Sequence, residues 1–494
     1  MSQEITNLHD VYIKSSLYTC HKGSYNELNF AKEVNKTMSE LYTYPLRQSI
    51  GAPSSPLVKK GDKVRRGQRI AEAGAGLGVP IYTSVNGTVQ GVTDTEITVS
   101  YEETDFSTYL PLPDALTDPL TIMKEAGLVG LGGAGFPTYA KLSKPFETGG
   151  TVIVNAAECE PILNHNITRI EKNPAEIVDG LLIAMKTVHA SKGILAIKAK
   201  HNEAIADLQK AIPADAPVSI ALLEDIYPQG EERAIVRDVL GTLLPGNALP
   251  LEAGAVIVNA ETCYRIFLAV RKKMPFIDKD LTCGGKLKAD SYEDMAKVFL
   301  DTPLGISLGT VIERAGGMVP SVHLLLPGEK PDYENGWTAY SELIIGGPFT
   351  GHRASPDQPV VKTTGGILIS ECLPHLDKKM GLLVCACGAD EVRMREIAEG
   401  MGATVVGIEK CKQAEDIKGH LKCANPGHCP GQVAKVMKLK REGAEVLLIG
   451  NCTDCTNTVM SCAPQLGLPV YHTTDCALRA AGYPLYRKMH ADKS

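Results

Sequence analysis

Four short apolar runs, each followed by a helical stretch, place the strongest constraint on how this chain folds. The runs are TVIVNAAE (151–158), GILAIKA (193–199), APVSIALLED (216–225) and GAVIVNAET (254–262). Buried strands that alternate with helices are typical of a parallel sheet covered by helices. The alternation therefore predicts an α/β domain over residues 111–290.

The remaining sequence divides into further units, because 494 residues are too many for one hydrophobic core. Residues 45–110 are rich in Gly, Val and Thr, and their Gly-Asp, Arg-Gly and Asn-Gly turns predict a small β-sandwich like that of biotinyl and lipoyl carriers. Its central turn, residues 74–79, lacks the carrier lysine, so no attached cofactor is expected. Residues 1–44 form an N-terminal extension, residues 291–375 a small α+β module, and residues 376–494 a second alternating α/β domain.

Charge and composition argue against several classes of function. The formal net charge of −6 disfavours nucleic acid as a partner, because phosphate binding needs a basic surface. One Trp and eight Phe are too few for a base-stacking surface. No apolar run approaches the roughly 20 residues that a transmembrane helix needs. The polar N-terminus lacks the apolar core of a signal peptide, so we expect a cytoplasmic protein without a membrane span.

Cysteines are concentrated at the C-terminal end. Of 14 cysteines, ten lie between Cys372 and Cys476. Because a protein that is not secreted rarely uses a disulfide framework, this concentration favours metal or redox chemistry.

A glycine-rich loop precedes the first strand of the predicted α/β domain. Gly130, Gly132, Gly133 and Gly135 lie between an apolar turn and a probable helix, where main-chain N–H groups can approach a phosphate. Lys141, about one turn into that helix, would add positive charge. The loop predicts nucleotide or flavin binding, with a tight structural turn as the alternative.

Polar residues follow three strands or loops of the same domain, in the motifs VNAAECEP, YPQGEERAIV and VNAETC. Ligands of open α/β sheets bind at the carboxyl ends of the strands. Amide and acidic side chains there suit the ribityl chain and ring edge of a flavin and the ribose of a nucleotide. The alternative is that these residues are helix caps. The polar side chains concerned are Asn155, Glu158, Glu160, Tyr227, Glu231, Glu232, Asn259, Glu261 and Thr262.

The motifs GLGGAGFPTYAKL, NAAECEP, YPQGEE and NAET, in this order, resemble the NADH-binding flavoprotein subunit of respiratory complex I, and more closely the RnfC family. The segments RQSIGAPSSPLVKKGDKVRRGQ, TPLGISLGTVIERAGG and GGPFTG are similar to other parts of RnfC, so the resemblance covers about residues 40–370. It implies a multidomain α/β protein. Its parts would be a barrel-sandwich hybrid domain, a complex-I-flavoprotein-like FMN/NADH domain and a β-grasp (SLBB) module, followed here by a C-terminal Cys-rich parallel α/β domain.

The resemblance also implies roles for individual residues. It implies FMN contacts from Gly130, Gly132, Gly133, Lys141, Asn155, Glu158, Tyr227, Gly230, Glu231, Asn259 and Thr262. It implies NADH contacts near Phe136, Glu160 and Glu232. The flavin would carry out the chemistry, with no side chain acting as a general base. Leu131 and Ala157 depart from the complex I pattern, which has an arginine and an aspartate at these places.

The cysteine-rich end departs further, because RnfC continues into two ferredoxin-type cysteine runs that this chain lacks. An iron–sulfur cluster is one interpretation, and the pattern from CANPGHC to NCTDC is similar to a small iron–sulfur subunit of methanogen hydrogenases. A thiol–disulfide relay centred on Cys452 and Cys455 is the second interpretation, and structural zinc or inert thiols the third. The candidate cluster ligands are Cys385, Cys387, Cys423, Cys429, Cys452 and Cys455.

An RnfC-like front with this end resembles the electron-transfer proteins associated with D-proline reductase. That resemblance implies NADH oxidation through FMN and delivery of electrons, through the C-terminal domain, to a reductase such as D-proline reductase. The protein would act as a homo-oligomer or as part of a complex. Two alternatives stay open: an RnfC-like cobalamin reductase, which should carry ferredoxin cysteine runs, and a non-catalytic scaffold subunit of a redox complex.

Overall fold

The computed structural model describes residues 28–29, 41–289, 295–320, 322–335, 339–370, 373–450 and 453–483. These residues form seven sheets, two of which are four-stranded and parallel. No helix in this part of the chain is long and apolar enough to cross a membrane.

Two small antiparallel sheets form the N-terminal unit. Their orders are β2-β8-β7-β4 and β3-β5-β6. Gly61 and Gly67, with φ of 93° and 83°, form turns in the left-handed region that favours glycine. After β1 (Leu28–Asn29), which joins a later sheet, the strands are β2 (Leu41–Pro45), β3 (Ser55–Pro56), β4 (Lys63–Val64), β5 (Arg69–Glu72), β6 (Ile81–Tyr82), β7 (Asn86–Val92) and β8 (Glu96–Glu102).

The four apolar runs form a parallel sheet, as predicted, with the order β11-β10-β9-β12. Because β9 and β10 have neighbours on both sides and helices above and below, nearly all of their residues are buried. The strands are β9 (Thr151–Ala156), β10 (Lys192–Lys198), β11 (Val218–Leu223) and β12 (Ala255–Asn259). The helices up to the end of this domain are α1 (Pro119–Glu125), α2 (Thr138–Lys141), α3 (His165–Lys172), α4 (Pro174–Thr187), α5 (Asn202–Ala211), α6 (Glu232–Leu240) and α7 (Ala260–Lys272).

A mixed six-stranded sheet follows, with the order β1-β14-β13-β18-β16-β17. The domain boundary predicted at residue 290 separates β13 from β14, but these strands pair antiparallel, so the pairing draws β13 into the later sheet. The elements of this region are β13 (Asp278–Gly285), β14 (Ala296–Pro303), α8 (Leu308–Arg314), β15 (Ala339–Tyr340), β16 (Leu343–Ile345), β17 (His352–Ala354), β18 (Gly366–Ile369) and β19 (Leu373–Pro374).

The C-terminal region contains the second parallel sheet, with the order β21-β20-β24-β25, and a hairpin of β22 and β23. The strands are β20 (Lys379–Val384), β21 (Thr404–Lys410), β22 (Ala414–Ile417), β23 (His420–Cys423), β24 (Val446–Ile449) and β25 (Val470–His472). The helices are α9 (Glu391–Gly400), α10 (Val433–Arg441), α11 (Thr453–Cys462) and α12 (Asp475–Ala480).

Buried ion pairs join these regions. Arg66 of the N-terminal unit donates to Asp278 of β13 at 2.9 Å. Glu342, next to β16, accepts from Arg353 of β17 and from Arg393 of α9, which lies in the C-terminal region. Because buried charges need close partners, each contact favours one particular packing of its two regions.

Candidate functional site

The glycine loop is closed at its base and open at its tip. Gly130 N–H donates to the Phe136 carbonyl at 2.8 Å, and Val129 pairs with Pro137. Gly132 and Gly133 are exposed, and a Cβ atom added to Gly133 would meet no atom within 4 Å. The tip therefore presents main chain to an open space, as a phosphate cradle requires. The helix that follows, α2, has only four residues, so its dipole adds little.

Residues at the ends of β9 and β12 join this loop. Leu131 N–H donates to Thr262 Oγ1 at 3.1 Å. A Cβ atom on Gly132 would lie 3.2 Å from the amide nitrogen of Asn259. The amide of Asn155 donates to the Gly230 carbonyl at 2.8 Å, which connects the third predicted motif. The winding of the sheet reverses between β9 and β12, and ligands of open α/β sheets bind at such a reversal.

A charged pair links the predicted flavin and nucleotide contacts. Lys141 Nζ lies 2.7 Å from Glu232 Oε1, and both side chains are partly exposed. Phe136, the other predicted nucleotide contact on this side, is 38% exposed. These three residues leave polar and aromatic groups accessible beside the loop.

Several of the predicted acidic and amide groups also cap helices, as the alternative interpretation proposed. Glu158 accepts from the main-chain N–H of Asn166 at 2.7 Å, in the first turn of α3. Glu231 accepts from the N–H groups of two residues of α6, and Asn259 from the N–H of Thr262 in α7. Burial raises the pKa of Glu231. Their oxygens thus already bind the protein's own main chain.

Tyr227 and Glu160 contact a different set of residues. The Tyr227 ring stacks on Phe349, with 3.7 Å between ring centroids, and its hydroxyl donates to the Cys387 carbonyl. Glu160 accepts from Phe349 N–H at 2.8 Å and from Thr350 Oγ1 at 2.7 Å. Burial raises the pKa of Glu160 to about 7 and holds that of Tyr227 well above its ordinary value. These two side chains therefore face the loop after β16 and the C-terminal region.

A buried ionic network behind the site was missed by the sequence analysis. Arg169 and Arg265 lie 2.6 and 2.9 Å from Asp280 Oδ1, and Glu261 accepts from Asp280 N–H at 2.8 Å. Burial alone would raise the pKa of Asp280, but the two guanidinium groups hold it well below its ordinary value. The charged pair at the start of a buried strand, Lys279-Asp280, is the signal that could have revealed this network.

Two family models match the chain. The Nuo51 FMN-binding domain matches residues 123–268, and the RnfC barrel-sandwich hybrid domain matches residues 21–106. An RnfC-type component of the Na⁺-translocating ferredoxin:NAD⁺ oxidoreductase complex of Acetobacterium woodii is 33% identical over 346 residues, which cover 67% of this chain and 73% of that relative. The chain belongs to the RnfC family.

Two further relatives of this RnfC-family chain are similarly close. The corresponding component of the proton-translocating ferredoxin:NAD⁺ oxidoreductase complex of Clostridium ljungdahlii is 31% identical, over 66% of this chain and 69% of the relative. The cobalamin reductase PduS of Citrobacter freundii is 30% identical, over 73% and 71%. The predicted RnfC relationship, the barrel-sandwich hybrid domain and the FMN-binding domain are thereby confirmed, and the chain is an oxidoreductase of this family.

The C-terminal cysteines of this RnfC-family protein form two groups. The Cys411 thiol is hydrogen-bonded to those of Cys385 and Cys429, and Gln432 donates to Cys411 and Cys429 at 3.0 and 2.8 Å. The Cys387 and Cys423 thiols are hydrogen-bonded to each other. Cys411 was not among the predicted ligands, because nothing in its local sequence marks it.

The predicted iron–sulfur ligands fall only partly within the described residues. Cys452 lies outside them, as does the side chain of Cys455. Within the part of the chain that the structure describes, no group of three or more Cys, His, Asp or Glu residues could hold a metal ion. The cluster and the relay at Cys452 and Cys455 therefore stay predictions.

Proposed function

We propose that this protein oxidises NADH through FMN and delivers the electrons, through its C-terminal cysteine-rich domain, to a reductase. The observation that carries this proposal is the direct contact between the two halves of such a route. Tyr227, in a predicted flavin motif, donates to the main chain of Cys387. Arg237 of α6 donates to Asn425 and Pro426, shortly after Cys423.

The residues around the glycine loop fit the proposed FMN site. The open main chain at Gly132 and Gly133 and the charge of Lys141 suit a phosphate, while Asn259 keeps an amide donor toward the loop. FMN supplies hydride acceptance and onward transfer of one or two electrons. We assign Phe136 and Glu232 to nucleotide placement, since both are accessible beside the loop.

Glu160 has a second proposed role beside nucleotide placement. Its carboxyl group is held by Phe349 and Thr350, and its pKa of about 7 lets it carry a proton near neutral pH. A nucleotide that used Glu160 would have to replace these two contacts. We therefore propose that the loop containing Phe349, in the region assigned to the SLBB module, shifts when NADH binds.

The acceptor and setting of the reaction are also proposals. The relatives are subunits of ferredoxin:NAD⁺ oxidoreductase complexes, which supports work within a complex in the cytoplasm. The resemblance to proteins associated with D-proline reductase makes that enzyme the first partner to test.

An anaerobic absorption experiment tests the proposed function. The purified protein, incubated with FMN and freed of excess, should show a flavin spectrum that bleaches when NADH is added. Lys210→Met, which changes an exposed lysine far along the sequence from the glycine loop, is the matched control for Lys141→Met. A protein that stays colourless after incubation with FMN contradicts the proposal and favours a scaffold role.

A second acceptor class deserves the same assay because of one specific observation, the 30% identity to a cobalamin reductase. In that case the NADH-reduced protein should reduce a corrinoid faster than it reduces D-proline reductase. The lack of ferredoxin cysteine runs in this chain counts against this alternative.

A further inference from the structure

We propose that Cys387 and Cys423 form a redox-active dithiol, which opens and closes a disulfide at the boundary between the flavin domain and the C-terminal domain. This inference rests on the proposed function and specifies where its electrons leave. It is distinct from the predicted relay at Cys452 and Cys455 and from the predicted metal cluster.

The fold brings the two thiols together from separate elements. Cys387 lies in the loop after β20, and Cys423 ends β23. Their side chains are hydrogen-bonded, and the Cys423 thiol also lies 3.4 Å from Gln413 Oε1. Sulfur atoms in hydrogen-bond contact need only a small approach to reach the disulfide length of about 2 Å.

Both loops that carry the pair are fastened to the flavin domain. The Cys387 carbonyl accepts from Tyr227, and the Arg237 guanidinium lies 2.8 Å from Asn425 Oδ1. Tyr227 is three residues before Gly230, whose carbonyl accepts from Asn155 at the end of β9. A short run of direct contacts therefore leads from the proposed flavin site to the thiol pair.

The surroundings of the pair suit internal electron transfer. Cys387 is 8% and Cys423 is 9% exposed, and both pack in one apolar cluster with Tyr227 and Phe349. Such burial limits access of small oxidants from solvent. The hydrogen bond from Cys387 lowers the pKa of Cys423, which makes Cys423 the attacking sulfur of the pair.

The proposed step is balanced. The disulfide gains two electrons and two protons from a reduced flavin in the neighbouring domain, the S–S bond breaks, and two thiols form. In the reverse direction, the Cys423 thiolate attacks a disulfide of the acceptor protein and displaces one acceptor thiolate. Cys387 then attacks the mixed disulfide and releases the second acceptor thiolate, which restores the Cys387–Cys423 disulfide.

Thiol mapping of the full-length holoprotein tests this proposal. The protein is oxidised with diamide, its free thiols are alkylated, and digested peptides are analysed by fragment mass spectrometry. A peptide pair linked through Cys387 and Cys423 is expected. It should be lost in Cys387→Ser and Cys423→Ser but kept in Cys385→Ser and Cys462→Ser, the matched controls from the same domain. Absence of the linked pair from the wild-type protein, or its persistence in Cys387→Ser, overturns the proposal.

A second measurement tests the direction of electron flow. Anaerobic NADH should open the linked pair, and wild-type protein should take up one more two-electron equivalent than Cys423→Ser. If NADH bleaches the flavin but the link opens only with dithiothreitol, the dithiol is not on the route and the proposal fails. If NADH does not bleach the flavin, the proposed function fails instead. Light-driven reduction of the bound flavin then decides about the dithiol, since an opened link supports it and a closed link overturns it.

Discussion

The two parallel four-stranded sheets obey one topological rule but present different chemistry. In the order β11-β10-β9-β12 the winding reverses between β9 and β12, and in the order β21-β20-β24-β25 it reverses between β20 and β24. Asn155 and Asn259 lie at the first reversal, while Cys385 and Gly450 meet at the second. The strand order fixes where a site can form, and the side chains at the strand ends fix what it can do.

Exposure separates the two reversals further. The first opens onto the accessible tip at Gly133, which suits a small molecule arriving from solvent. The second is lined by nearly buried thiols and contacts the flavin domain through Cys387. Substitutions that act on only one reversal can test this division.

The largest expected effect comes from removing the charge behind the first reversal. Asp280→Ala should lower the free energy of unfolding by about 3–5 kcal/mol, because Arg169 and Arg265 would remain buried without their shared carboxylate. Urea unfolding followed by circular dichroism measures the change. Asp179→Ala, which breaks an exposed pair with Arg271, is the control and should cost less than about 1 kcal/mol. Equal losses in the two variants would show that burial of the network does not matter.

Acid should weaken the attachment of the second sheet. Burial opposes ionisation of Glu342, but Arg393 and Arg353 outweigh it and lower its pKa to about 2. A lowered pKa adds stability above the ordinary value of about 4.5, and this stability, about 3 kcal/mol, is lost as the pH falls toward 2.

Unfolding free energies measured at several acidic pH values test this effect. Glu342→Gln should be less stable near neutral pH and should lose less stability on acidification than the wild type. Glu391→Gln, on the exposed side of α9, should keep the wild-type slope. An unchanged slope in Glu342→Gln would assign the acid sensitivity to other groups.

A smaller effect is expected where the strand ends pack most closely at the first reversal. In Gly230→Ala the new Cβ atom would lie 2.6 Å from the Cβ atom of Cys159, which predicts a loss of about 1–3 kcal/mol from overpacking. The shift should also reduce retained FMN, measured by absorbance after gel filtration. Adding Cys159→Gly removes the clash and should restore both properties, whereas failure to restore either one would locate the damage elsewhere.

The smallest change in stability should accompany a selective loss of cofactor affinity. Lys141→Met removes a partly exposed ion pair with Glu232, which contributes less than about 1 kcal/mol to stability. Loss of one charged hydrogen bond to a phosphate should weaken FMN binding about tenfold, as measured by flavin fluorescence titration. Lys144→Met, three residues later and exposed, should bind FMN as the wild type does. Equal affinities would remove Lys141 from the proposed site.

The sequence predicts local features of this molecule better than distant contacts. The parallel sheet and the glycine loop follow from hydrophobic periodicity and turn residues, both of which act over a few positions. The cap roles of Glu231 and Asn259 were visible as an alternative for the same reason. The pairing of Cys387 with Cys423 depends on strand order, and the stacking of Tyr227 on Phe349 joins residues 122 positions apart, so neither leaves a local trace.

The contact between Tyr227 and the C-terminal region is made to the main chain of Cys387, not to its side chain. Every amino acid offers the same carbonyl, so the docking of the two domains does not depend on which side chain occupies position 387. Evolution could therefore exchange the reactive group at this position, for a weaker or a stronger nucleophile, while the geometry of the junction is inherited unchanged.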